Sequence, residues 1–177
     1  MQHENIHNFV TMKIAVIYGS STGATEDVAK RIAGAMNIEN NDIMDVAKIT
    51  PDTVTGYDAL LLGSSTWGVG DLQDDWYNGI EILKKAKLGG KKIAIFGTGD
   101  SGGFSESFCS AIGKIYEELQ SSGATFIGKV DPSGYSFLDS EALIDGQFVG
   151  LPLDEANESD KTDERIANWV KQLQAAL

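Results

Sequence analysis

The sequence predicts an α/β domain with a five-stranded parallel sheet and helices on both of its faces. Apolar runs of strand length alternate along the chain with stretches whose apolar residues recur at helical spacing. The first run, residues 13–18, is continuously apolar from Ile14, which is typical of a strand covered on both faces. A length of 177 residues favours one domain with a sizeable core.

The first half of the chain carries three of the expected strands. They lie at residues 13–18, 42–46 and 59–63. A helix is expected after the first strand, over about residues 25–36. Its apolar residues recur at Val28, Ile32 and Met36. The segment Thr50-Pro51-Asp52 is typical of the cap and first turn of a brief helix.

The second half repeats this alternation and then departs from it. Two amphipathic helices flank a strand at residues 92–97, and Gly123 is expected to end the second helix. Their buried stripes are Trp76, Ile80 and Leu83, and then Phe108, Ile112, Ile115 and Leu119. A fifth strand at residues 125–130 is interrupted from Asp131 by an insertion of roughly twenty residues, longer than ordinary loops. A strand-like piece at 148–151 and a last helix at 162–176 complete the chain.

The charge balance limits the partners that this chain can have. Its 14 Lys and Arg residues against 26 Asp and Glu residues give a net charge of −12. This charge disfavours nucleic acid, whose phosphate backbone recruits basic surfaces, and favours steering toward a basic protein. A role in solubility alone would also account for it. No apolar run approaches the ~20 residues of a bilayer span, so no membrane association is expected.

Cysteine and histidine are scarce, which excludes several kinds of site. Cys109 is the single cysteine, so an intrachain disulfide is impossible and a cytoplasmic location is expected. We expect Cys109 to be a small buried hydrophobe on a helix. His3 and His7 lie in residues 1–11, which we interpret as a flexible N-terminal extension before a domain at 12–177. A zinc site and a His-based triad are therefore excluded from the domain, and no metal ligand or catalytic residue is predicted.

Three loops rich in Gly, Ser and Thr follow the first, third and fourth strands, and ligands of open α/β sheets bind at such carboxyl ends. The first loop comprises Ser20, Ser21, Thr22, Gly23, Ala24 and Thr25. Unpaired amides at a helix start, the helix dipole and the loop's hydroxyl groups suit it for a phosphate. The loop has neither the lysine of GxxxxGK[ST] nor an arginine, which disfavours a nucleotide triphosphate with magnesium. An ordinary capped helix start is the alternative for this loop alone.

The second loop, residues 63–70, places an aromatic ring between small residues. The expected ligand-binding positions are Ser65, Thr66, Trp67, Gly68, Val69 and Gly70. Because glycines leave the Trp67 indole without side-chain cover, the indole is expected to form a stacking platform for a planar ligand. Partial burial in the core is the alternative. Gly68 accepts positive φ without steric penalty, so the Gly68–Val69 peptide is expected to be able to turn over.

The third loop, residues 97–103, formally matches GxGxxG between a strand and a helix. The expected ligand-binding positions are Gly97, Thr98, Gly99 and Asp100, with Phe104 as a second aromatic face. A dinucleotide-binding motif would carry an acidic residue about twenty residues on, at the end of the next strand. That distance falls at Glu117 and Glu118, on a predicted helix, so the dinucleotide interpretation is disfavoured.

Together these motifs resemble those of the flavodoxin family. Residues 20–25 are similar to its hydroxyl-rich phosphate loop. Residues 66–73 (TWGVGDLQ) are similar to the loop that stacks its tryptophan on the flavin, and residues 97–100 (GTGD) to the loop at the flavin's edge. The resemblance extends over residues 13–177 and is specific because several motifs agree.

The second half of the chain resembles the long-chain type of this family. Residues 131–153, with DPSGY and GQFVGL, are similar to the long-chain insertion, and DKTDERI at 160–166 also fits. Phe104 stands where the family usually has Tyr, which keeps the aromatic face and removes a hydroxyl. The resemblance implies a flavodoxin-like three-layer sandwich with strand order 2-1-3-4-5.

The resemblance also implies a function. FMN is expected to bind non-covalently, with its phosphate on residues 20–25 and its ring between Trp67 and Phe104. The protein is then a low-potential one-electron carrier, not an enzyme. It is expected to be a monomer that shuttles between an NAD(P)H-dependent flavodoxin or ferredoxin reductase and low-potential acceptor enzymes, all with basic surfaces.

Two other classes share this topology. An FMN-dependent quinone or azo reductase of the same fold is the alternative, and two flanking aromatic rings with an acidic surface disfavour it. A signalling receiver domain needs acidic residues after its first and third strands. Gly19-Ser20 and Gly63-Ser64 occupy those positions, so this class is rejected.

Overall fold

Strands and helices alternate along residues 12–177, the part of the chain that this computed structural model describes. The expected extension at residues 1–11 lies outside the described residues. The strands are β1 (Ile14–Gly19), β2 (Ile43–Asp45), β3 (Ala59–Trp67), β4 (Asp71–Leu72), β5 (Lys92–Thr98), β6 (Thr125–Ile127), β7 (Leu143–Ile144), β8 (Gln147–Phe148) and β9 (Leu151–Leu153). The α-helices are α1 (Ala24–Ala35), α2 (Asp75–Lys85), α3 (Ser110–Leu119) and α4 (Thr162–Ala176).

The main sheet runs in the order β2-β1-β3-β5-β6, and these neighbours are parallel. This confirms the predicted order 2-1-3-4-5 for the five predicted strands. The central strand β3 pairs with β1 on one side and β5 on the other. Its side chains alternate between two buried clusters, because Leu60 and Leu62 belong to one and Leu61 to the other.

Helices cover both faces of the sheet, as the sequence predicts. Helices α2 and α3 supply the cluster around Leu60 with Trp76, Ile80, Leu83, Ile112 and Ile115. Helices α1 and α4 supply the cluster around Leu61 with Val28, Ile32, Ile166, Trp169 and Leu173. Burial of these apolar side chains, at about 25 cal/mol per Å², holds the three layers together. No helix between residues 12 and 177 is both long enough and apolar enough to cross a membrane.

Two short strands share one edge of β5. β6 pairs with the start of β5, from Lys92 to Ala94, and β9 pairs with its end, from Phe96 to Thr98. The predicted strand at 125–130 ends at Ile127, because Gly128 turns the chain at a φ of 87° and its carbonyl accepts a bond from the Trp169 indole. The predicted piece at 148–151 is divided between β8, which pairs with β7, and β9.

Two local predictions are wrong. The brief helix expected from Thr50 is a series of turns, because the amides of Thr53 and Thr55 bond to carbonyls three residues back and the Thr53 hydroxyl takes the Thr50 amide. The helix expected to include Phe108 starts later, at Ser110. Cys109 precedes it with a left-handed φ of 51°, which no helical residue adopts. Cys109 is nevertheless fully buried, as predicted.

Candidate functional site

The first loop joins β1 to α1 through a left-handed glycine. Gly23 has a φ of 96°, and no side chain caps the helix that follows. The first backbone bond of the helix runs from the Asp27 amide to the Gly23 carbonyl. Amides that precede it at a helix start have no intrahelical acceptor, and the helix dipole adds positive potential. The loop therefore presents neutral N–H donors of the kind that bind a phosphate.

Side chains shape this loop as well as supplying donors. The Ser20 hydroxyl accepts the Gly23 amide at 3.1 Å, and the Ser21 hydroxyl accepts the Gln73 side-chain amide at 3.3 Å. Thr25 is fully buried, and its hydroxyl lies 3.0 Å from that of Thr98. Thr25 thus ties the first loop to the third.

The first turn of α1 carries two carboxylates, and basic side chains on the same helix pair with both. Glu26 lies 3.1 Å from Lys30 and accepts the Tyr18 hydroxyl at 3.2 Å. The hydrogen bond from Lys30 is the main cause that lowers the pKa of Glu26. Asp27 lies 3.5 Å from Arg31. These pairs reduce the negative potential that the first turn would impose on an anion in the loop.

The second predicted loop is mostly a strand, which corrects the sequence interpretation. β3 continues to Trp67, since residues 64 and 65 pair with β5 and residues 66 and 67 pair with β4. Composition alone indicates a loop for Ser64, Ser65 and Thr66. The backbones of β4 and β5 pair with these residues and hold them in a strand instead. Only residues 68–70 form the turn, with φ of 52° at Gly68 and 96° at Gly70.

Trp67 projects from the end of β3 with 42% of its surface exposed. Its indole N–H donates to the Ser65 hydroxyl at 2.7 Å, and this bond fixes the orientation of the ring. The indole therefore lies partly at the surface rather than in the core. Val69, at the tip of the turn, is 85% exposed.

The third segment combines the end of β5 with a tight turn. Gly97 and Thr98 belong to β5, and a side chain at Gly97 would meet the Ser64 carbonyl at 2.8 Å. One oxygen of the Asp100 carboxylate accepts the amides of Gly102 and Gly103 at 3.1 and 2.8 Å.

A residue far along the chain also binds the Asp100 carboxylate. Asn157 donates to it at 2.7 Å, and this bond is the main cause that lowers the pKa of Asp100. Phe104 ends the segment and is 51% exposed.

The parallel register brings these three segments to one edge of the sheet. Gly19 pairs with Ser64, and Ser64 pairs with Gly97, so all three segments leave the sheet at the same level. The edge carries a helix start with free donors and two exposed aromatic rings, Trp67 and Phe104. None of residues 20–25, 64–71 or 97–104 is a lysine or arginine. The donor set therefore fits a phosphomonoester attached to a planar ring system.

Sequence reasoning missed three residues that shape this edge. Gln73 is 3% exposed. Its side-chain amide donates to the Ser21 hydroxyl, and its backbone amide donates to the Ser64 hydroxyl at 3.2 Å. Asp154 and Asn157 reach the third segment from the chain beyond β9. No local pattern could identify the last two, because more than fifty residues separate them from their partners.

Comparison with known proteins places these features in a family. The family model described as Flavodoxin matches residues 16–169. The chain is 41% identical to Flavodoxin 1 of Azotobacter vinelandii over 166 residues, which is 92% of this chain and 95% of that protein. It is 40% identical to a flavodoxin of Nostoc sp. over 166 residues, 94% of this chain and 98% of that protein. The crystal structure of a Fusobacterium nucleatum flavodoxin bound to flavin mononucleotide is similar with a TM-score of 0.85 at 26% identity, covering 94% of this chain and 99% of that one.

Proposed function

The chain belongs to the flavodoxin family, and on that premise we propose that it is a low-potential one-electron carrier that holds FMN at the carboxyl edge of its sheet. Its cofactor is FMN, and it transfers electrons between proteins without being an enzyme. One observation carries the proposal: a phosphate loop without basic residues shares an edge with two exposed aromatic rings. The family assignment does not favour the quinone or azo reductase alternative.

The phosphate is assigned to the β1–α1 loop. The residues assigned to it are Ser20, Ser21, Thr22, Gly23, Ala24 and Thr25. Backbone amides at the start of α1 would donate to the phosphate together with the hydroxyls of Ser20, Ser21 and Thr22. Thr25 contributes by holding the loop against Thr98. Neutral donors suit a permanently bound group, because no charged side chain is present to assist a phosphoryl transfer.

The ring is assigned to the ends of β3 and β5. The residues assigned to it are Ser65, Thr66, Trp67, Gly68, Val69, Gly70, Gly97, Thr98, Gly99, Asp100 and Phe104. FMN, when bound, supplies the one-electron and proton chemistry of its isoalloxazine ring. Ser65 holds the Trp67 indole in place, and Phe104 offers an apolar face without the hydroxyl of a tyrosine. The Gly68 carbonyl is the acceptor assigned to a protonated ring nitrogen, since glycine tolerates both peptide orientations.

The charge of the chain supports a low reduction potential and basic partners. A net charge of −12 and an edge without lysine or arginine both oppose the addition of negative charge at the ring. Flavodoxins are redox partners of reductases and acceptor proteins. For this chain we assign an NAD(P)H-dependent reductase as donor and low-potential enzymes as acceptors, each steered by a basic surface.

Further assignments follow from the same premise. We assign the chain to the long-chain type, because residues 128–150 separate β6 from β9 on the same edge of β5. We also assign it a monomeric state, and its single cysteine supports a cytoplasmic location.

An absorbance spectrum with cofactor extraction tests the proposal. The purified protein should be yellow and should release FMN rather than FAD on denaturation. The apoprotein should regain the spectrum when FMN is added. A colourless protein that FMN cannot reconstitute would contradict the proposal. Rapid quinone turnover with NAD(P)H and no partner reductase would instead support the reductase alternative.

A further inference from the structure

We propose that Asp154 and Asn157 are positioning residues for the ring end of the site, where they hold the loop of residues 99–104 in the shape that receives the flavin. Neither residue belongs to the three segments assigned to FMN. The proposal rests on the proposed function, because the ligand of this loop is the FMN ring. According to this proposal, binding of the flavin ring also depends on a fourth segment, residues 154–157.

Asn157 joins two carboxylates with one amide group. Its Nδ2 donates to Asp100 Oδ1 at 2.7 Å and to Asp154 Oδ1 at 3.0 Å. An amide nitrogen carries two hydrogens, so each carboxylate receives one. A lysine or arginine could also bridge two carboxylates, but it would place a positive charge beside the loop. Asn157 makes the link with no change in charge.

Asp154 anchors the other side of the same loop. It is fully buried, and its carboxylate accepts the hydroxyl of Ser101 together with the Ser101 amide at 3.4 Å. The same carboxylate accepts the Asn157 amide at 3.1 Å, which closes the turn that carries Asn157. Buried carboxylates need such donors, because an unpaired one is strongly disfavoured. Asp154 therefore couples the turn at 154–157 to the loop.

Besides these side-chain bonds, the loop has two backbone bonds, from the Gly99 amide to the Leu153 carbonyl at 3.0 Å and from the Phe104 amide to the Asp100 carbonyl at 2.8 Å. Three of its residues are glycines, at 99, 102 and 103, so its intrinsic backbone preferences are weak. A side chain at Gly102 would meet the Asn157 amide oxygen at 2.6 Å, which shows how closely the two segments pack. Loss of the Asn157 bridge should release the Asp100 carboxylate and with it the amides of the loop.

The test compares Asn157→Asp with Asn168→Asp. The first variant keeps the shape of the side chain, removes both donors and sets a third carboxylate beside Asp100 and Asp154. Asn168 is exposed on α4, so the second variant adds the same charge away from the loop. Asn157→Ala, which removes the donors without adding charge, is a milder form of the test. In FMN-free protein, amide hydrogen exchange at residues 99–104 should become about tenfold faster in Asn157→Asp and stay unchanged in Asn168→Asp.

Affinity for FMN and for riboflavin provides a second readout. Both ligands share the ring, so Asn157→Asp should weaken both by the same factor, about tenfold, the usual order for a hydrogen bond to a charged group. Asp100→Asn combined with Asn157→Asp exchanges donor and acceptor and should recover part of the loss.

Three results would overturn the proposal. They are unchanged exchange at residues 99–104 in Asn157→Asp, a loss confined to FMN, and a double variant no better than Asn157→Asp. If the wild-type chain binds neither ligand, the proposed function fails, and the exchange measurement on FMN-free protein still decides the role of Asn157.

Discussion

The phosphate end and the ring end of the candidate site are built in different ways. The phosphate end is one contiguous stretch, residues 20–25, at a single strand–helix junction. The ring end combines the end of β3, the loop after β5 and the turn at residues 154–157. A contiguous site depends on local backbone geometry, whereas an assembled site depends on how distant segments pack. Changes at the two ends should therefore have different consequences.

The two ends also handle negative charge differently. At the phosphate end, Glu26 and Asp27 pair with Lys30 and Arg31 one helical turn away. At the ring end, the neutral amide of Asn157 joins Asp100 to Asp154. The lysine and arginine offset the negative charge at the phosphate end. The Asn157 amide fixes the positions of the two carboxylates at the ring end but leaves their charge unchanged. The ring end therefore keeps a negative potential, in the direction that a low reduction potential requires.

The largest expected effect is a difference in stability between alanine substitutions of one glycine at each end. In Gly99→Ala the new methyl would lie 2.8 Å from both the amide nitrogen and the Sγ of Cys109, so we expect a loss of about 3 kcal/mol in the free energy of unfolding. In Gly23→Ala nothing lies within 4 Å, and only the positive φ opposes the change, at about 1 kcal/mol.

Urea unfolding of both variants measures this difference. Gly34→Ala is the control, because this exposed position in α1 has open space and should gain up to about 1 kcal/mol. Equal losses at positions 99 and 23 would contradict the view that the ring end depends on distant packing more strongly than the phosphate end does.

The affinities for FMN and for riboflavin, measured in variants of each end, compare the two ends in binding. Trp67→Ala should weaken FMN and riboflavin equally, by about 2 kcal/mol, since it removes a stacking surface that both ligands use. Ser20→Ala should weaken FMN by about 1 kcal/mol and leave riboflavin unchanged, because riboflavin has no phosphate. Fluorescence titration of the apoprotein gives both constants. A riboflavin loss in Ser20→Ala, or an FMN-only loss in Trp67→Ala, would show that the two ends are not separable.

The smallest expected effect concerns pH. The Asp100 carboxyl has a lowered pKa in the folded protein, with the Asn157 bond as the main cause. A lowered folded pKa stabilises the fold above the ordinary value of 3.8, and this contribution is lost as pH falls through the lowered value. Asp100→Asn should therefore flatten the acid side of the stability profile. Urea midpoints between pH 6 and about pH 3 measure it, and Ser20→Ala should keep the wild-type slope.

The contiguous parts of this protein were accessible from sequence. The predicted strands at residues 13–18 and 92–97 are apolar from Ile14 and Ile93 onward, and the stripe of Val28 and Ile32 has helical spacing. The pattern alone therefore predicts these two strands and the first helix correctly. The order of the sheet came from a resemblance of loop motifs to a family, not from periodicity. The brief helix at Thr50 was a wrong prediction, because the amides of Thr53 and Thr55 bond to carbonyls three residues back and form turns.

Residue composition predicted the wrong local structure where pairing with neighbouring strands determines the backbone conformation. Ser64, Ser65 and Thr66 indicate a loop by residue type, but β4 and β5 pair with them and extend β3 to Trp67. Composition also gave no sign that the Thr25 hydroxyl lies 3.0 Å from the Thr98 hydroxyl, seventy-three residues away. Strand β5 and Thr98 are distant in sequence and adjacent in space, so no local window contains them, whereas β4 follows within a few residues of Thr66.

By itself the sequence determined the α/β class, the hydroxyl-rich composition of residues 20–25 without lysine or arginine, and the aromatic nature of positions 67 and 104. These properties reside in residue type and short-range spacing, which act within a few bonds of the backbone. Only the tertiary structure decided that Gly19, Ser64 and Gly97 lie at one level of the sheet, and that Asp154 and Asn157 reach the loop that ends at Phe104. The physical reason is that hydrogen bonding between segments more than thirty residues apart depends on chain packing, which local propensity does not encode.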